Sequence, residues 1–238
     1  MDENKHFQFD VDFSAVALAI ILAAVLIAGG LKKFGNEKRT VSVRGLSERE
    51  VPADMATWRV SFSVVGNDLA GLQKEILSKT DVVLEFLKEY NLGENDYSVL
   101  SPEITDVTTN IYLDQSQRRY NYVAKQSVLI RTSKVQAVKE ASTDTIKLMG
   151  KGVAVASDWD NRVSYDFTGL NEIKPEMIAE ATKNARLAAE QFARDSDCTL
   201  GKISSASQGL FSIEDAATGL EESKNVRVVT TVVYSLKK

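Results

Sequence analysis

Nineteen consecutive residues without a charge, F-S-A-V-A-L-A-I-I-L-A-A-V-L-I-A-G-G-L at positions 13–31, constrain this chain more than any other stretch. As a helix the run is about 28 Å long, close to the roughly 30 Å hydrocarbon core of a bilayer. It is apolar all round, which disfavours a surface helix and makes a fully buried core helix a weaker reading than a membrane span. A cleaved signal peptide wants a basic leader, a shorter apolar core and a small-residue exit site. Here the leader M-D-E-N-K-H-F-Q-F-D-V-D is acidic, and G-G-L-K-K follows the core. An uncleaved anchor is the expectation. Four segments follow from it: a polar tail (1–12), a transmembrane anchor (13–31), a linker (32–39) and one body (40–238).

Orientation pulls two ways. Lys32, Lys33, Lys38 and Arg39 outnumber Lys5 and the terminal amine, so the positive-inside bias alone places the body in the cytoplasm. Large domains nevertheless translocate largely regardless of charge.

The formal charge of the 238-residue chain is −4, and the charges of residues 1–39 cancel, so the acidity belongs to the body. A mildly acidic body without a basic stripe gives no reason to expect nucleic-acid binding. Cys198 is the single cysteine and His6 the single histidine. An intramolecular disulfide, a Cys-rich zinc site and any Ser-His-Asp or Cys-His mechanism within the body are therefore excluded. Neither G-x-G-x-x-G nor the G-x-x-x-x-G-K-[ST] phosphate loop occurs.

Within the body, period-2 alternation predicts strands over 40–45 and 57–65, the latter with Trp58, Val60, Phe62 and Val64 on one face. Asn67 or Asp68 is placed to cap a helix whose stripe is Leu69, Leu72, Ile76, Val83, Leu87 and Tyr90, with Gly93 as its stop. A strand over 97–107 bends at Pro102, a polar loop covers 108–118, and a strand returns over 120–132. Ser133 and Gln136 have capping-box spacing before a helix that ends at Gly150. Residues 152–169 read as strand-rich. Pro175 opens a third helix with an Ile178, Ala181, Ala185, Ala188 and Phe192 stripe, small enough to sit close to a sheet. Strands over 200–207 and 226–236 close the chain. The order implies an α+β fold, a mainly antiparallel sheet with helices packed on it, containing a ferredoxin-like βαββαβ unit over 57–168.

Candidate chemistry is sparse. Asp158, Trp159 and Asp160 form an acidic-aromatic cluster that reads best as a solvated turn. Arg118 and Arg119 sit at an exposed loop tip. Cys198 reads as a half-buried small residue, since no resolving cysteine exists. No catalytic, cofactor-binding or metal residue is assigned, and an enzyme is not expected.

V-S-V-R-G (41–45), followed by V-P-A-D-M-A (51–56), resembles the opening of the SIMPL-domain family. A-x-x-N-A-R-x-x-A-E-x-x-A (181–193), then L-G-K-I (200–203) and the closing strand, resembles that family's C-terminal signature. Most bacterial members are exported or membrane-anchored, one assembles into a channel-like ring and another is linked to oxidative-stress defence. An animal member binds a signalling kinase. No catalytic or cofactor residues are established in the family. The resemblance therefore implies a non-enzymatic, self-associating envelope or stress-related protein, tethered through 13–31 with its body outside the cytoplasm. A module that recruits a protein partner through the 108–119 loop is the second reading, and an enzyme with an unrecognised carboxylate site the third.

Overall fold

The computed structural model describes residues 13–34, 39–109, 119–156 and 161–237. It opens with helix α1 (Phe13–Phe34), which runs three residues beyond the apolar stretch and takes in Lys32 and Lys33. The side chains described in α1 are those of residues 16–18 and 20–28, all exposed. Among the described residues no helix is long and apolar enough to cross a membrane.

The body is α+β with antiparallel pairing throughout its two sheets. One sheet holds β1 (Thr40–Pro52), β9 (Ser223–Lys237) and β7 (Thr199–Gln208) in that order, with β8 (Ser212–Asp215) beside β9. The other holds β3 (Tyr97–Val99), β5 (Tyr122–Thr132), β2 (Met55–Gly66) and β6 (Ser164–Asp166), with β4 (Glu103–Asp106) beside β5. In the second sheet the order β6-β2-β5-β3 makes each helical crossover skip one strand, as a split β-α-β-β-α-β unit requires.

A single sheet was the sequence expectation, and the reason for two lies in the Pro52–Met55 join. Ala53 N donates to Glu222 O on the first sheet, and Asp54 N donates to Asp166 O on the second. One residue apart, the chain has changed sheets. The Asp54 carboxylate then accepts from Thr168 N, Thr168 Oγ1 and Gly169 N. That fixes the entry to α5 (Leu170–Asp195). Pro175 is therefore inside α5 and not at its start; the carboxylate of Asp54 marks the start instead.

Helix α2 (Leu69–Glu89) begins where Asp68 Oδ1 accepts from Gly71 N at 2.7 Å. It buries Leu72, Ile76, Val83, Phe86 and Leu87 against β2 and β5. Its stop is Asn91 and not Gly93: Asn91 has φ of 59°, Asn91 N donates to Lys88 O, and Leu92 N donates to Leu87 O. This left-handed cap satisfies two terminal carbonyls and folds the apolar Leu92 back into the core.

The capping box does not form. Lys134 is the residue before α3 (Val135–Thr143) and contributes no side-chain cap, while Gln136 bonds Glu140. Serine 133 is one position too early to serve that helix. The expected long helix is also split, with α4 (Ile146–Gly150) starting afresh after Asp144 and Thr145. Among the described residues of the 152–169 stretch there are β6 and an isolated bridge between Phe62 and Val155.

On the first sheet α5 lies across β1 and β9. Its buried face is Met177, Ala181, Ala185, Ala189 and Ala193, an i, i+4 ladder. Ala188 and Phe192, expected on the stripe, face outward. Gly45 lies in the middle of β1, under this ladder.

A carboxylate clasp joins α2's exit to α3's entry. Asp96 accepts from Lys134 Nζ (2.7 Å), Thr132 Oγ1 (2.7 Å) and Gly93 N (2.8 Å). The hydrogen bond from Lys134, then that from Thr132, holds its pKa below the ordinary value. A depressed folded-state pKa stabilises the fold above the unfolded value of about 3.9, and that contribution is lost as pH falls through the folded value. Urea midpoints measured between pH 7 and pH 2 should therefore fall at the acid end, and Asp96→Asn should blunt that fall. An identical pH profile in the variant counts against the clasp.

Candidate functional site

Three helices end in the same way. After α4, Gly152 takes φ of 82° and Val153 N donates to Leu148 O. After α5, Asp197 takes φ of 51° and Cys198 N donates to Ala193 O at 2.9 Å. Cys198 thus occupies the position filled by Leu92 and Val153 in the other two caps, where a small apolar group folds back on its helix. Its half-buried setting is explained by chain geometry alone.

The tightest ionisable cluster was not visible in the sequence. Tyr90 Oη donates to Asp144 Oδ2 at 2.6 Å, and Lys147 Nζ lies 2.6 Å from Tyr90 Oη and 3.0 Å from Asp144 Oδ2. The hydrogen bonds of Tyr90 and then Asp144 push the Lys147 pKa up, and those of Tyr90 and Lys147 hold Asp144 down. Both shifts lead away from neutrality, the opposite of what a general acid or base needs. The trio is a clamp between the end of α2 and the start of α4, on an open surface.

A cleft rich in charged side chains lies between β6 and β8, about 710 Å³ in volume, lined by Tyr165, Asp166, Asp215, Glu221 and Lys224. Two of its three acids are engaged: Lys224 donates to Asp215, and Glu221 accepts from Gly219 N. Burial, and then Glu222 and Glu221 nearby, raise the Tyr165 pKa. A groove of about 490 Å³ between α2 and the β3–β4 turn is apolar, with Leu69, Leu77, Val99 and Ile104 exposed along it. Among the described residues no three His, Cys, Asp or Glu side chains are placed to hold a metal ion.

Of the residues singled out from the sequence, Arg118 and the Asp158–Trp159–Asp160 cluster lie outside the described residues. Arg119 is exposed.

What the structure does bring together are the two stretches that carry the resemblance. Gly45, from V-S-V-R-G, meets the backbone of Ala181 and Ala185 in the helical stretch. Beside that contact Asn184 Nδ2 donates to Leu46 O at 2.8 Å, Ser47 Oγ donates to Glu180 at 2.8 Å, and Arg49 pairs with Glu176 at 2.9 Å. The shared residues are those of a helix–strand interlock. Sequence reasoning had the small-residue stripe but not the glycine it closes on, because contact order across more than 130 positions leaves no local signal.

A family model described as SIMPL, protein of unknown function (DUF541), matches residues 41–234. No curated protein sequence matches closely enough to carry an activity or a residue role across.

Proposed function

Because the chain belongs to the SIMPL family of proteins of unknown function, we propose a non-enzymatic, membrane-tethered, self-associating component of the cell envelope, with a role in stress defence. The observation that carries the tether is α1: a 22-residue helix in which aliphatic side chains such as Leu18, Ile20 and Leu26 are exposed among the described residues. Contiguous aliphatic surface of that kind needs an apolar environment. The sequence of residues 13–31 supplies the length for a bilayer. On the family resemblance the body belongs outside the cytoplasm, against the local lysine bias. Support for a non-enzymatic role comes from the charged cleft between β6 and β8, where Lys224 and a backbone amide engage two of the three acids, Asp215 and Glu221.

A C-terminal topology reporter tests the placement. Alkaline phosphatase fused after Lys238 should be active, and a cytoplasm-dependent fluorescent fusion dark. The reverse pattern sinks the export reading and restores the lysine bias.

A second reading, recruitment of a protein partner through the 108–119 loop, draws on the rigid root of that loop. Asp106 Oδ1 accepts from Thr108 N and Thr108 Oγ1, and Asn121 N donates to Asn67 Oδ1 on the other side. Deleting the loop should abolish co-purification of a partner while the fold persists; retained co-purification excludes this reading.

A further inference from the structure

The two edges of the first sheet are built differently. Leu236 N donates to Arg39 O, so odd-numbered residues of β1 turn their backbone groups toward β9 and even-numbered ones turn them outward. In the middle of that outward row Asn184 reaches over from α5 and occupies Leu46 O. The strand also carries Arg44, Glu48, Arg49 and Glu50 and ends at Pro52. An occupied carbonyl, mixed charges and a terminal proline all discourage strand addition.

The opposite edge carries Lys202 and two register shifts near its start, but from Ser205 to Gln208 it has no charge, no proline and no shift. Residues 203–210, I-S-S-A-S-Q-G-L, are uncharged and exposed, and Leu210 is 96% exposed. The register of β7 shifts between Leu200 and Ser205, then runs regularly from Ser205 to Gln208. Ser205 and Ser207 oppose Val233 and Thr231, and Gly209 N donates to Val229 O. Those odd positions face β9. Ala206 and Gln208 therefore present their N–H and C=O groups to the outside.

We propose that the outward edge of β7 at Ala206 and Gln208 is where a second copy of this chain docks, strand against strand. The inference rests on the self-association reading and gives it a surface. A docking strand needs a matching edge that is unguarded, uncharged and more than a few residues long. Among the described strands β3, β4, β6 and β8 have three or four residues, β5 and β9 have a strand on each side, β2 is flanked by β5 and, at Met55–Thr57, by β6 with a further bridge from Val155 to Phe62, and β1 is guarded. The match for β7 within this chain is another β7. An antiparallel pair centred on Ala206 sets Ser204 against Gln208 and Lys202 against Leu210, so no like charges oppose one another.

Sedimentation velocity of the full chain in detergent micelles tests this with two variants. Ala206→Pro removes an N–H that points away from β9, a change an edge strand tolerates, and Ala206→Lys places like charges across the pair. Wild type should sediment as a dimer or larger, and both variants as monomers with unchanged melting temperatures. If the proline variant unfolds, the lysine variant decides. Association that persists in folded variants overturns the β7 edge while leaving self-association standing. A monomeric wild type overturns self-association itself.

Discussion

Gly45→Ala should cost at least about 4 kcal/mol, enough to exhaust much of the stability of an ordinary domain. A methyl group at Gly45 would overlap the carbonyl oxygen of Ala181 and the amide nitrogen of Ala185, both backbone atoms of α5. A flexible side chain would swing aside, but a helix backbone moves only as a unit. To make room α5 must lift from β1, and doing so opens the seam that buries Met177, Ala181, Ala185 and Ala189. It also breaks the hydrogen bonds from Asn184 to Leu46 O and from Ser47 to Glu180. Loss of packing and loss of these hydrogen bonds add in the same direction, which is why the effect exceeds the usual 1–3 kcal/mol of overpacking. Gly150→Ala is the control. Nothing lies within 4 Å of a methyl group there, and a helical glycine replaced by alanine gains about 0.5–1 kcal/mol. Paired thermal melts should show Gly45→Ala falling by about 10 °C or more, or failing to accumulate, with Gly150→Ala equal to wild type or above it. Equal melting temperatures for Gly45→Ala and wild type would remove the interlock as the feature the family residues encode.

That interlock also explains what the sequence could and could not reveal. Strands β2, β5 and β9 were legible because each has one wet face and one buried face, so period-2 alternation survives in the residues themselves. The order of elements, and with it the α+β class, followed from those strands and from the amphipathic α2. Helix starts and stops were less legible, because they depend on groups far away in the chain. Asp54 holds the turn into α5 from 115 positions upstream, and no window around Pro175 contains that information. Asn91 outcompeted Gly93 because its own amide and that of Leu92 reach back to the helix, a local geometry that composition does not rank. The split into two sheets turned on the hydrogen bonds of Ala53 and Asp54, which only the folded partners Glu222 and Asp166 define. The clamp of Tyr90, Asp144 and Lys147 was invisible for the same reason, since Tyr90 follows α2 and its two partners lie more than 50 positions further on.

The phenylalanines of α2 and α5 turn this contrast into a measurement. Phe86 is fully buried against β2 and β5, with its ring 5.1 Å from that of Tyr90. Phe86→Ala should cost about 3–5 kcal/mol, the transfer of a buried ring plus the cavity it leaves. Phe192 was expected on the packed stripe of α5, yet it is 59% exposed. The reason is helical phase: an i, i+4 ladder of alanines ending at Ala193 turns the neighbouring position outward, and small side chains leave no room for a ring at the sheet. Phe192→Ala should therefore fall within about 0.5 kcal/mol of wild type, as other surface changes do. Urea unfolding of the full chain in micelles separates the two outcomes, since a shift in midpoint at constant slope reports stability alone. Comparable losses at the two positions would mean that Phe192 is covered, by a second copy or by the membrane, and that the outward face of α5 is itself an interface.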